Sequence, residues 1–240
     1  MNQRTRQSQP VKLMIFSVLS VVLGIMIAFS SPSCRRLGHG HGLAEALNNV
    51  RQVKFALDGF ATDFDGHFPN ADTGQRVVGG GTGLSSSNDY FRQLFMAGET
   101  QSEQIFWVKN SPVAHKTAPD DKVLGADGKP SQDLILEPGD CHWAYLTGQT
   151  NTSNVERLLI MDPFLPGTTG WDEKLWDRKV IALRIDGSIT ALRMRISDGK
   201  VLDTSNHDYL SSDSAAWQGN VGEPLVLDPM ALLVQPEPAN

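Results

Sequence analysis

The first 44 residues of this 240-residue chain contain no Asp or Glu, and the whole chain has only two cysteines, Cys34 and Cys141. Two thiols exclude a disulfide-stapled scaffold and a cysteine-built metal centre, both of which need several clustered cysteines. Also missing are a Gly-x-Ser-x-Gly elbow, a His-Glu-x-x-His pair and a Lys-Ser/Thr after the glycines at 79–83. No local pattern therefore specifies a hydrolase, a metalloprotease or a phosphate cradle. Asp63-Phe64-Asp65-Gly66 fails as a calcium loop, because Ala61 would stand at the first ligand position and Asp72, not Glu, at the twelfth. No catalytic residue, cofactor-binding residue or metal ligand is assigned.

What stands in place of the early acids is an address. Arg4, Arg6 and Lys12 lead into an uncharged apolar run, Leu13 to Phe29, followed by Arg35 and Arg36. Seventeen residues lie at the short end of what crosses a hydrocarbon core of about 30 Å. The basic excess before the run favours an inside amino terminus. Three readings of residues 1–34 stay open: a retained anchor, a signal cleaved near Ser30 or Ser33, and a lipid on Cys34. Each puts the remaining chain outside the cytoplasm.

Taking Arg4, Arg6 and Lys12 from the 21 Lys and Arg leaves 18 against 27 Asp and Glu, a formal charge of −9. That balance argues against a nucleic-acid partner, whose phosphates require a basic face.

Residues 35–42 alternate Gly38, Gly40 and Gly42 with His39 and His41 and read as a flexible joint. Leu43, Leu47, Val50, Val53, Leu57, Phe60 and Phe64 then recur at spacings of three and four, which predicts an amphipathic helix over 43–65 with those residues as its packing stripe. Asp65-Gly66 and Pro69 end it. Residues 70–88 read as a Gly/Ser-rich surface loop, and Ser87 or Asn88 as the cap of a second helix closed by Gly98. A short element covers 102–108, and Pro and Gly punctuate an irregular stretch from 110 to 140.

From Cys141 to 196 the texture is that of strands: 142–146, 157–161, 180–185 and 188–194, the last two joined by Asp186-Gly187, which predicts a type I′ turn. The Pro-rich tail 221–240 reads as irregular surface chain. The fold class is α+β: an amino-terminal membrane or spine helix, then a small antiparallel sheet with long loops within a 43–220 globular domain.

Cys141 and His142 are sequence neighbours, and neighbours on a strand point to opposite faces, so they do not form a dyad with each other. A partner for Cys141 would have to come from elsewhere, such as His115 or His207. Cys141 reads as free and buried. The five tryptophans read as buried loop anchors, with a carbohydrate platform as the alternative. Trp171 and Trp176, in the loop after Pro163, are the candidate glycan or partner contacts.

Asn49-Val50-Arg51-Gln52-Val53, Ala56-Leu57, Phe60-Ala61 and Asp63, followed by Asp65-Gly66-His67-Phe68-Pro69, resemble the segment leading out of the spine helix of type II secretion pseudopilins and related pilin-like proteins. Asp186-Gly187-Ser188 resembles the closing hairpin of the same family. The resemblance implies a spine helix packed on a small antiparallel sheet. It also implies a single-pass position in the bacterial inner membrane with a periplasmic head, and function through protein contacts, including other pilin-like subunits. The leader departs from that family in lacking the Gly and Glu at which prepilins are processed and assembled. The residues also allow a second class of function, an exported carbohydrate- or ligand-binding module.

Overall fold

A computed structural model of the chain describes residues 37–79, 83–218 and 228–239. The leader 1–34 with its apolar run 13–29, Cys34, and residues 80–82 and 219–227 lie outside them. The chain divides into units 1–41 and 42–240, and the second is described here. Among the described residues no helix is long and apolar enough to cross a membrane.

Helix α1 spans Leu37–Asp63. It begins within the segment read as a Gly/His joint, so residues 37–42 are helical rather than a flexible linker. Its stripe falls where the spacing puts it: Val50, Val53, Leu57 and Phe60 are fully buried, while Leu43, Leu47 and Phe64 pack on the core from partly buried positions. Ala46, Ala56 and Ala61 complete the buried face, their small size letting the helix approach its neighbours closely.

The helix ends in a Schellman arrangement, the Gly66 N–H donating to the Ala61 carbonyl at 2.8 Å. The left-handed cap position is Asp65 (φ 56°), followed by Gly66 (φ 84°), so the acid takes the role the sequence suggests for the glycine. The turn is then tied to the sheet domain. Phe68 N–H reaches the Gln149 carbonyl, Asn151 N–H reaches that of Gly66, and the Tyr145 hydroxyl donates to the Pro69 carbonyl at 2.9 Å.

Residues 70–88 are not wholly loop. Helix α2, Ala71–Val78, starts on an Asn70–Thr73 capping box and stops at Gly79 (φ 74°). Helix α3, Ser87–Ala97, is capped by Ser86 with Asp89 as the reciprocal partner, and closed by Gly98. Ser87 and Asn88 do not cap it. They are buried and bond across to the Trp143 and Leu136 carbonyls. A single 3-10 turn, Gln104–Phe106, marks the short element expected at 102–108.

The sheet comprises β1 (Ala144–Leu146), β2 (Leu158–Met161), β3 (Lys179–Arg184), β4 (Ile189–Arg193) and β5 (Leu233–Val234). All pairings are antiparallel in the order β4-β3-β2-β1-β5. The first four form a meander. The fifth comes from the tail read as irregular and pairs with the outer edge of β1. The β3–β4 hairpin also differs from expectation. Arg184 N–H bonds to the Ser188 carbonyl and Gly187 N–H to that of Arg184, with only Gly187 at positive φ (83°). This is a three-residue loop with a left-handed glycine rather than a type I′ turn.

Both faces of the sheet are covered. Tyr145, Ile160, Ile181 and Leu183 pack with α1 and α3, while Ala144, Leu146, Leu158, Met161, Val180 and Ala182 pack with Met194, Val201, Tyr209 and Trp217. Leu158 opposes Arg184 and Ile160 opposes Leu183, which leaves Leu159 as an extra residue in β2. That bulge turns Leu159 and Ile160 toward the same core.

The stretch 110–140 stays largely irregular and is pinned from within. The Glu103 carboxylate, buried with 2% exposure, accepts the Leu136 N–H at 2.5 Å, and Arg92 donates to the Ile135 and Leu136 carbonyls at 2.8 Å each. Burial pushes the Glu103 carboxyl up to about 7, with the charges of Asp140, Asp121 and Asp120 acting the same way.

Two expectations follow. Phe60→Ala should cost about 3–5 kcal/mol in denaturant unfolding, whereas Phe55→Ala, at an exposed position on the same helix, should change stability by less than about 0.5 kcal/mol. A carboxyl raised from 4.5 to about 7 stabilises the fold fully below pH 4.5, and that contribution is lost as pH rises through 7. Melting of the wild type should therefore fall between pH 5 and pH 8, and Glu103→Gln should flatten the fall; an equal fall in the variant would show that Glu103 is not its source.

Candidate functional site

The residues with chemical potential gather at three places. The first is Cys141, the only described cysteine. It is completely buried, with its sulfur 3.9 Å from Ser87 Oγ and 3.6 Å from the Trp143 carbonyl. Burial pushes its thiol up to about 12, which keeps it protonated at neutral pH and removes the thiolate that nucleophilic chemistry needs. Neither His115 nor His207 bonds to it. The His115 ring lies against Gly139, and His207 sits in a turn closed by Asp203.

The second is a chain of hydrogen bonds that local motifs do not reveal. His142 Nε2 lies 2.8 Å from Asp162 Oδ1, and His142 Nδ1 lies 2.8 Å from Ser111 Oγ. Asp162 also accepts the Ile181 N–H at 2.6 Å through its other oxygen. Facing a carboxylate, Nε2 is the donor, and in the neutral ring Nδ1 is then the acceptor for the Ser111 hydroxyl. Serine, histidine and aspartate in this order can carry acyl transfer when the serine oxygen is free to attack. Here Ser111 Oγ also accepts the Val113 and Ala114 N–H groups at 3.2 and 3.1 Å, and His142 has no exposed surface. Both lone pairs of the serine are engaged, so the chain acts as a polar tie between the 108–114 loop and strand β2.

The third is a groove of about 520 Å³ on the side of the sheet away from α1. Three segments meet there: the loop 164–173, the turn 194–200 after β4, and Asp208–Leu210, with Met230 beside them. Trp171 forms part of the wall. Its indole donates to the Asp162 carbonyl at 3.2 Å and meets Phe164 edge to face at 5.0 Å, leaving 8% of the residue exposed. Ile196 stands 84% exposed at the rim. The polar walls are ion-paired: Lys200 with Asp208 at 2.8 Å, Arg195 with Asp198, and Glu173 with Arg178 at 3.0 Å. The Arg195 guanidinium holds the Asp198 carboxyl down to about 2, and the Asp208 carboxylate raises the Lys200 ammonium. Asp198 and Lys200 therefore stay charged throughout the neutral range.

Behind Glu173 the backbone is strained. Asp177 (φ 55°) and Arg178 (φ 60°) are consecutive left-handed non-glycine residues, each costing about 1–3 kcal/mol. Two of the Arg178 nitrogens, Nε and Nη2, are buried without a hydrogen-bond partner among the described residues.

The structure separates the two tryptophans read as one candidate contact. Trp171 belongs to the core on the groove side, and Trp176 to the core on the α1 side, within reach of Gly42. They form no joint platform. Trp107, Trp143 and Trp217 are buried with their indole N–H groups on the His115, Ile105 and Tyr209 carbonyls.

The buried thiol gives a direct check: Cys141 in the folded protein should resist iodoacetamide at pH 8 and react only after denaturation, read by mass spectrometry of the peptide. Rapid labelling in the native state would contradict the burial described. Comparisons with protein families, curated proteins and solved structures find no match to this chain.

Proposed function

We propose that this chain is a non-enzymatic, pseudopilin-like envelope protein, anchored in the bacterial inner membrane through residues 13–29, whose periplasmic head works through contacts with other proteins. Pilin-like subunits of a type II secretion-like system are the partners the reading implies. The observation that carries it is the pairing of the α1 stripe with one face of an antiparallel sheet, with the Asp65–Pro69 turn bonded to Tyr145 of β1 and to Gln149 and Asn151 in the loop that follows it. The segment whose sequence resembles the end of a pilin-like spine is thus the segment that fixes the helix to the head. The opposite side of α1 carries Asn48, Arg51, Phe55 and Thr62, all exposed, with Phe55 at 69%. That row offers a contact surface with one large apolar residue at its middle.

The test uses the full-length chain in its native cell. Tagged protein should fractionate with the inner membrane, be cut by protease added from the periplasmic side, and yield a discrete protein adduct from a photo-crosslinker placed at Phe55. Recovery in the cytosol would overturn the placement, and absence of any adduct from Phe55 would overturn α1 as the contact surface.

A further inference from the structure

Beyond protein contacts, the geometry points to the groove beside Trp171 as a binding site for a short neutral saccharide, held between the Phe164–Trp171 wall, the exposed Ile196 and the ion-paired Asp198, Lys200 and Asp208. The proposal is independent of the pseudopilin-like reading and rests on the chemistry of the walls. A volume of about 520 Å³ lies within the range of about 300–1,000 Å³ typical of small-ligand sites. Its lining mixes two kinds of surface. Ile196 and Met230, 84% and 36% exposed, suit the C–H faces of a sugar ring over a floor of largely buried Phe164 and Trp171, while carboxylates and an ammonium suit its hydroxyls, which both donate and accept.

Charge decides against the competing ligand classes. Among the residues lining the groove the carboxylates of Glu173, Asp198 and Asp208 outnumber the one ammonium of Lys200, which repels an anion, and each carboxylate is already held by Arg178, Arg195 or Lys200, so a cation meets no unpaired carboxylate. A polar, neutral ligand can bond to the outward lone pairs and protons of such pairs without breaking them. Ile196 supports a ligand role as well, because an isoleucine 84% exposed at the rim of a groove gains by being covered.

Full-length detergent-solubilised protein titrated with maltotetraose, cellotetraose and chitotetraose should show saturable binding to at least one of them by calorimetry, with a change in tryptophan fluorescence. Ile196→Ser, at an exposed position, should weaken that binding about tenfold or more, equivalent to about 1.4 kcal/mol, without shifting the melting curve, and Asp208→Asn, which also loses its pair with Lys200, should weaken it by a similar factor. Trp171→Phe should abolish the fluorescence change. Failure of all three sugars to bind, binding that the groove variants leave intact, or preference for polygalacturonate over every neutral sugar would each overturn the proposal. None of these results bears on whether the protein is pilin-like, which the crosslink at Phe55 tests separately.

Discussion

The three central strands of the sheet have no solvent face, and much of the rest follows from that constraint. Strands β1 and β2 are buried along their whole length, and β3 everywhere but its ends. An antiparallel sheet usually wets one side and alternates apolar with polar residues. Here Leu158-Leu159-Ile160-Met161 and Val180-Ile181-Ala182-Leu183 are unbroken apolar runs, so each face needs its own cover. Helices α1 and α3 supply one. The other comes from the excursion between Met194 and Trp217, which has little regular structure and relies on Tyr209, Leu210 and Trp217 as wedges. Arg157 lies over the Trp217 ring at 5.7 Å, holding that wedge from the sheet side.

Two covers of such different kinds explain where rigidity and chemistry sit. The α1 side is locked by repeated helix contacts and by the Asp65–Pro69 turn. The opposite side is loop against sheet, and loops leave crevices where helices would close them. The groove beside Trp171 is such a crevice, and its polar groups face one another in pairs because an isolated charge on a partly buried wall is costly. The Ser111–His142–Asp162 chain has a related origin. His142 must cross a dry interior to tie the 108–114 loop to β2, and it does so with both ring nitrogens bonded.

The sequence was legible where one element decides its own pattern. The α1 stripe, the four meander strands and the Gly98 cap each follow from a local period or a single residue with a strong backbone preference. Elements whose identity depends on distant partners were not. Helix α2 hides in a Gly/Ser-rich stretch because its start depends on one Asn–Thr box, with Gln93 bonding to Thr73 and to the Asn70 carbonyl from α3. Strand β5 is two residues long and exists only because β1 offers an unpaired edge. Ser86 outcompetes Ser87 as the α3 cap because the Ser87 hydroxyl is drawn to Trp143. The groove was half legible: Trp171 was singled out, but of its true companions only Phe164 shares its loop, while Ile196, Asp208 and Met230 come from three other stretches and Trp176 belongs to the other core.

Strand β5 also bears on the order in which this fold can be completed. The meander from β1 to β4 is built from neighbouring segments, whereas the β1 edge is closed by Leu233 and Val234, which follow the whole second cover in sequence. Closure of that edge is a long-range event and correspondingly slow. Without that pairing, Ala144–Leu146 would offer a short apolar edge to another extended chain. The late residues Gln235 and Glu237 then seal it, one accepting the Ser87 N–H and the other that of Gly139. The carboxyl-terminal segment is thus the clasp that closes the sheet edge.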